Sequence, residues 1–400
     1  MRKKEQLAIY GGKPVRDAYL PYGSQWIEDE DIQAVSNVLR SDYLTTGPII
    51  KAFEESVADY VGAKYAVAFS SGTAALHAAC YAANIDEGDE VITTPMTFAA
   101  TSNAILYLDG KPVFADIDPL TYTISPERIE PLITEKTKAI ITVDYTGQPA
   151  NYDQIQQLAK KHKLLVIDDA AHALGATYKG KRIGSIADMT MFSFHPVKHI
   201  TTGEGGMITT NQKSLYDKLK SFRTHGITRD PNRWLYHDHP WYYEMQDLGF
   251  NYRMTDFQAA LGLSQLKKSD KFLRTRRTYA KQYTEQFKDL NAIITPFQHE
   301  DGHSSWHLYM IRLKSNKIKA DRLLFFQALQ KENIGVNVHY IPVYWHPYYQ
   351  QLGYKKGICP VAENLYEEII TLPLYPKMSE QDIQDVIAAV KKVHAYFSTD

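Results

Sequence analysis

Between Tyr65 and Asn211 seven short runs rich in β-branched and apolar residues follow one another: AVAFS, EVITTP, PVFADID, AIITVDYTG, LLVIDDA, MTMFSF and GGMITTN. Helical stretches separate the early ones, the first opening at Thr73 and the next spanning about 99–108. Strands spaced by helices in this way predict an α/β architecture, a mostly parallel seven-stranded sheet covered on both faces. Ligands of such sheets bind beyond the carboxyl ends of the strands, so residues there are the first candidates for chemistry.

After about residue 265 the rhythm changes. A basic stretch, 267–281, reads as helix, 306–313 and 335–340 read as strands, and a last helix starts near Ser379 with Ile383, Val386, Ile387, Val390 and Val393 on one face. Four hundred residues exceed what one core usually organises. The expectation is a large domain over 1–264, opened by an irregular arm (Gly11, Gly12, Pro14, Pro21 and Gly23 within 1–24), and a smaller α+β domain over 265–400.

The richest strand end is MFSFHPVKHITTGEGG, 191–206. A strand delivers Ser193 and His195 to a turn broken by Pro196, with Lys198 just past it and a Gly-rich segment beyond. A primary amine becomes a nucleophile toward carbonyls when burial or nearby cations lower its pKa. Pyridoxal 5'-phosphate (PLP) chemistry needs such a lysine, a carboxylate for the pyridine nitrogen and a phosphate cup. Asp168 and Asp169 end the apolar run LLVI, where an unpaired carboxylate is expensive, and the spacing to His172 favours Asp169 as the partner of a protonated ring nitrogen. Ser70-Ser71-Gly72-Thr73 follows a strand and opens a helix, so its N–H groups suit a phosphate, although GxxxxGK[ST] is absent. Phe98 lies at another strand end, where an aromatic either stacks on a flat ring or joins the core. Taken singly, each has a plain alternative: Asp169 as a turn cap, His172 as a core histidine, Lys198 as a solvated lysine.

Composition narrows the partners. A formal charge of −1 offers no basic footprint for nucleic acid and no polybasic membrane anchor. Cys80 and Cys359 stand far apart, so neither a disulfide framework nor a metal site is expected, and a reducing cytoplasmic setting fits. No apolar run approaches the roughly 18 residues that span a bilayer, so the protein reads as soluble.

In order along the chain, SSGTAAL, TTPMTFAAT, PVFADID, VIDDAAHALGA, SFHPVKHITTGEGG, LGFNYRMTDFQAALG and HYIPVY resemble the DegT/DnrJ/EryC1/StrS family of PLP-dependent nucleotide-sugar aminotransferases. The resemblance runs from about Gly11 to the last helix. It implies the type I aminotransferase fold and a homodimer with active sites at the subunit interface. It matches Lys198 to the lysine that bonds the cofactor, Asp169 to the pyridine carboxylate and His172 to a position that is glutamine in many relatives. Phe98 matches the ring-stacking residue, Gly72, Thr73 and Ser193 the phosphate cup, and Asn251 a residue reaching the phosphate from the neighbouring subunit. His199 is a departure, since relatives often carry another residue there. A narrower likeness, in LPYGSQWIEDEDIQAV, SDYLTTGP and GVNVHYIPVYWHPYY, is to the branch that aminates C4 of a UDP-linked keto sugar from L-glutamate in pseudaminic acid biosynthesis. It assigns Tyr22, Asp42, Tyr43, Leu44, Thr45, Ser71, Arg253, Val338, His339, Tyr340 and Ile341 to the nucleotide sugar. The same resemblance admits other keto-sugar aminotransferases, of the bacillosamine, viosamine or perosamine type or acting at C3. The sugar-dehydratase branch replaces the lysine with histidine, and Lys198 argues against it; a non-catalytic sensor is the remaining rival.

Overall fold

The computed structural model describes residues 6–236 and 239–399, so the first five residues of the arm lie outside the described residues. The seven predicted strands all form: β1 (Tyr65–Phe69), β2 (Glu90–Thr93), β3 (Lys111–Phe114), β4 (Thr137–Val143), β5 (Leu165–Asp169), β6 (Met189–Ser193) and β7 (Gly206–Thr210). They make one sheet in the order β1-β7-β6-β5-β4-β2-β3. Every neighbouring pair is parallel except the two made by β7, which runs antiparallel to β1 and β6.

Period-two alternation shows why the sheet is covered on both sides. Ile140 and Val166 join one core with Phe53, Val57 and Phe192, while the next residues, Ile141 and Ile167, join another with Val67, Phe69 and Leu76. Both layers are helical. Helices α2 (Pro48–Val61) and α5 (Tyr152–His162) cover the first face, while α1 (Asp29–Leu39) packs on the helix Asp256–Leu266, and α3 (Gly72–Ala82) with α4 (Ala100–Leu106) covers the second.

Local chemistry fixes the helix that matters most. Ser71 caps α3, its Oγ accepting from the Ala74 N–H at 3.1 Å. A Cβ at Gly206 would come within 2.5 Å of Ser71 O, so only glycine lets β7 approach the start of α3 this closely.

The C-terminal region has its own core, in which Tyr309, Ile311 and Leu313 of β9 (Tyr309–Leu313) meet Ile383, Val386, Ile387, Val390 and Val393 of the last helix. β9 lies between β8 (Ile293–Ile294) and β10 (Ile369–Leu372), antiparallel to both. Leu7 and Leu20 of the arm are buried in that same core, and Glu332, wholly buried, accepts from Ala8 N and Val15 N, each at 2.9 Å, and from Lys392 Nζ at 3.0 Å. The arm therefore rides on the C-terminal region, which matters below because Tyr22 lies near its end.

Two expected strands need correction. Gly335–Tyr340 is not a strand: only Asn337 pairs, with Thr371, because Leu20 O takes the Gly335 N–H at 2.7 Å and the Asn337 side chain takes the Val338 N–H at 2.8 Å. The strand expected over 306–313 starts only at Tyr309, since the preceding peptides are held by side chains and Trp306 adopts a positive φ of 52°. The basic helix expected over 267–281 runs instead from Ser269 to Phe287, after a separate helix, Asp256–Leu266. Among the described residues no helix is long and apolar enough to cross a membrane.

Candidate active site

A cleft of about 580 Å³ opens beyond the carboxyl ends of β4, β5 and β6, where a parallel sheet presents its ligand site. Twelve of the expected residues share its wall: Tyr22, Ser71, Gly72, Thr73, Phe98, Asp169, His172, Ser193, Lys198, Val338, His339 and Tyr340.

Lys198 follows β6 in a turn closed by its own N–H on His195 O at 2.9 Å, and the chain returns with Thr202 N on Phe194 O at 3.0 Å. Burial lowers the amine to about 8, with Asp169 pulling the other way. Asp169, the last residue of β5, accepts from Thr101 Oγ1 at 2.5 Å and from the Ala171 N–H at 3.2 Å. Burial raises its carboxyl above the usual range, opposed by those two hydrogen bonds and by Lys198. Asp169 and its register partner Val143 face the cleft, whereas Asp168 and its partner Thr142 alternate to the far side of the sheet, so of the two acids the pleat turns Asp169 toward the cleft.

On that far side Asp168 and Asp144 are buried close together. Thr142 Oγ1 donates to Asp168 Oδ1 at 3.2 Å, and Tyr152 OH donates to Asp144 Oδ1 at 3.0 Å. The Oδ2 atom of each has no partner among the described residues. Burial raises Asp144 to about 7 and, with Asp144 beside it, holds Asp168 well above the usual range.

His172 is buried with its Nε2 3.1 Å from the Tyr340 hydroxyl and its carbonyl accepting from Ser305 Oγ at 2.7 Å. Burial, helped by Lys198, keeps the imidazole well below its ordinary pKa and therefore neutral. His339, 2.9 Å from Thr371 Oγ1, is lowered to about 4 by burial and Lys198. Tyr22 lies 5.5 Å from the His339 ring, and Phe98 is 63% exposed with its ring 6.2 Å from that of Tyr340, so Phe98 belongs to the cleft and not to the core.

The phosphate end also fits. The first turn of α3 presents the Gly72 and Thr73 N–H groups, and a Cβ at Gly72 would sit 3.3 Å from Ser193 Cβ, so glycine leaves the serine room beside the helix start. An amine of lowered pKa, a buried carboxylate across the cleft and this cradle together match the needs of PLP.

The remaining expected residues are not in this cleft. Ile341 is 41% exposed outside it, and Asp42, Tyr43, Leu44 and Thr45 form an exposed loop tied down by Thr45 pairing with Thr255 and by Asp256 N on Leu44 O at 2.9 Å. Asn251 pairs with Thr224, and Arg253 lines a separate hollow of about 600 Å³ with Lys51, Lys64, Lys220, Arg223, Glu54 and Glu55. Sequence reasoning missed Thr101, Asn337, Glu204 and His307, all at or beside the cleft. For Thr101 the signal existed: it stands four residues after Thr97 in TPMTFAAT, one helical turn on, and the two hydroxyls are 2.6 Å apart.

The model of the DegT/DnrJ/EryC1/StrS aminotransferase family matches residues 25–391. The chain belongs to that family. It is a sugar aminotransferase, and PLP is its cofactor. It is 45% identical over 380 residues to the spore coat polysaccharide biosynthesis protein SpsC of Bacillus subtilis, a match covering 94% of this chain and 98% of SpsC. Among solved structures, Helicobacter pylori PseC, an aminotransferase involved in the biosynthesis of pseudoaminic acid, superposes with a TM-score of 0.88 at 35% identity, covering 95% of this chain and 100% of PseC. The putative sugar aminotransferase Spr1654 of Streptococcus pneumoniae, in its PMP form, superposes at 0.89 with 33% identity, covering 94% of this chain and 98% of that one.

Proposed function

We propose that this aminotransferase moves the amino group of L-glutamate to C4 of UDP-2-acetamido-2,6-dideoxy-β-L-arabino-hex-4-ulose, a step toward pseudaminic acid. The observation that carries transamination is one cleft walled by both Lys198 and Asp169, with the amine lowered to about 8. The similarity to PseC, together with the loop sequences SDYLTTGP and GVNVHYIPVYWHPYY, supports the sugar.

Bound PLP supplies an aldehyde that exchanges amines and a ring that accepts the electron pair left when a C–H bond breaks. In this reading Lys198 would hold the cofactor, and its Nζ, when free, would take and return the proton at the substrate carbon bearing nitrogen. Asp169, itself oriented by Thr101 and the Ala171 N–H, holds a proton on the ring nitrogen. Gly72, Thr73 and Ser193 bind the phosphate, Phe98 covers the ring, and His172, tied to Tyr340, meets its oxygen side. Tyr22 and the 338–340 segment then face the sugar. Asn251 and Arg253 serve the cleft of a second copy, in a homodimer.

A second reading, amination of another nucleotide keto sugar, draws on one observation: identity to the spore-coat polysaccharide protein, 45%, exceeds the 35% to PseC. Incubating the protein with PLP, glutamate and the two epimeric UDP-4-keto sugars, then identifying the amino sugar by mass and NMR, separates the two. The first reading expects amination at C4 of the L-arabino epimer; turnover of only the other epimer would replace it with the second.

A further inference from the structure

The segment 304–308 leads into β9 beside the cleft, and it is pinned at nearly every peptide. Arg277 Nε donates to Ser304 O at 3.0 Å, His199 Nε2 lies 3.2 Å from Ser305 O, and Arg276 Nη1 donates to Trp306 O at 3.3 Å and His307 O at 3.2 Å. From the other side the N–H groups of Ser305 and Leu308 reach Gly147 O at 3.0 Å and Thr146 O at 3.3 Å. This clamp fixes the ring of His307.

That ring packs between two other imidazoles at tilted angles, 36° to His172 with centroids 4.3 Å apart and 41° to His199 with centroids 5.4 Å apart. It is only 5% exposed, yet it lines the cleft. Its Nδ1 is sealed and has no partner among the described residues, whereas Nε2 is not sealed and carries no protein hydrogen bond among them. Burial, reinforced by His172, Lys198, His199 and Arg276, keeps the ring uncharged. A neutral imidazole holds one proton, and on Nδ1 that proton would be a buried donor without an acceptor. It therefore sits on Nε2, facing the cleft. A buried polar ring where a phenyl group would pack equally well is an economical sign of a ligand contact.

The lining around it sharpens the point. Among the described residues the cleft wall holds no arginine, and Lys198 is its one lysine. Under the function proposed above, the same cleft takes first a dicarboxylic amino acid and then an uncharged keto sugar moiety. A guanidinium at the position of His307 itself would favour the first and be left buried and unpaired by the second. A neutral N–H serves a carboxylate oxygen and a hydroxyl oxygen alike.

We propose that His307 is a substrate-binding residue whose Nε2–H donates to the oxygen substituent beside the reacting carbon in both half-reactions, a carboxylate oxygen of the amino donor and a hydroxyl or carbonyl oxygen of the sugar. This rests on the functional reading above. The test uses PLP-loaded protein with His307→Phe, which keeps the ring and removes the donor, and His307→Gln, which restores a donor.

Because Nδ1 has no partner, phenylalanine orphans nothing there, and an unchanged Tm confirms folding. His307→Phe should raise KM for glutamate and for the sugar by roughly tenfold each, the size expected for one hydrogen bond to a charged or well-oriented partner. The absorbance of the bound cofactor should keep its pH profile, and His307→Gln should recover most of the loss. An unchanged glutamate KM in His307→Phe, a rise for only one substrate, or a glutamine variant no better than phenylalanine would each overturn the assignment. If the unmodified protein accepts no nucleotide keto sugar, the functional reading fails instead, and single-turnover reaction with glutamate still decides for or against His307.

Discussion

The cleft and the hollow around Arg253 are of similar size, about 580 and 600 Å³, and opposite in character. The cleft holds the amine, the acid and the imidazoles, with little positive charge. The hollow holds Lys51, Lys64, Lys220, Arg223 and Arg253 against Glu54 and Glu55, with Arg223 paired to Glu54 and Lys51 to Glu55. A reaction on substrates bearing carboxylates and a diphosphate needs both kinds of surface. One chain keeps them apart, and we propose that they divide the work, the cleft taking the proton transfer and the cofactor phosphate and the cationic hollow the more distant anionic groups of the substrate. In the homodimer we propose, each cleft borrows its arginine from the other copy.

The largest effect should come from the chemical half. Lys198→Ala should lower amino transfer by at least about 10⁴-fold and shift the absorbance of bound PLP to that of the unbonded aldehyde, while circular dichroism stays unchanged. Transfer at near-normal rate would remove Lys198 from its role and with it the contrast between the two surfaces.

An intermediate effect tests the division between copies. Lys198→Ala and Arg253→Ala proteins, each expected to be poorly active alone, should regain about a quarter of the unmodified activity when mixed at equal amounts and allowed to exchange subunits. Half the dimers are then mixed, and each of those has one intact composite site. Activity in the mixture no greater than the mean of the separate variants would place Arg253 and Lys198 in the same site or leave Arg253 without a role.

The same contrast marks how far the amino-acid sequence could be read. The seven strands and the ends of β5 and β6 were legible because β-branched runs and polar stops write period two and a sheet edge into the sequence, and Asp169, His172, Ser193 and Lys198, named from those ends, share the cleft wall. The 335–340 segment misled because GVNVHY alternates like a strand, while the competitors for its N–H groups, Leu20 O and the Asn337 side chain, act from 315 residues away or from within a single residue. His307 was invisible for a related reason. Nothing in SSWHLYM says that Arg276, Arg277 and His199 will hold its backbone against the cleft. The positions named from resemblance alone, Asp42 to Thr45, Asn251 and Arg253, lie outside the cleft of their own chain, where no strand-end pattern points to them.

The smallest effect lies beneath the cleft, where the chemical half holds two buried acids, whereas the two glutamates of the hollow are paired with cations. Asp144 and Asp168 are buried with one unpartnered oxygen each, and Tyr152 donates to Asp144. The folded-state pKa of Asp144, about 7, stands above its unfolded value near 4 because burial penalises the charged form. A group raised in this way contributes its stability fully below the unfolded pKa and loses it as pH climbs toward the folded one. Cofactor-free protein should therefore lose stability between about pH 4 and pH 7. Asp144→Asn keeps an acceptor for the Ala150 N–H and Tyr152, cannot ionise, and so should show a flatter fall, by a few degrees of Tm or about 1–3 kcal/mol over that window. Thermal unfolding in a buffer series checks it: identical slopes for the two proteins would mean that Asp144 is already ionised and compensated, and that the acid pair under Asp169 does not distinguish the cleft from the rest of the surface.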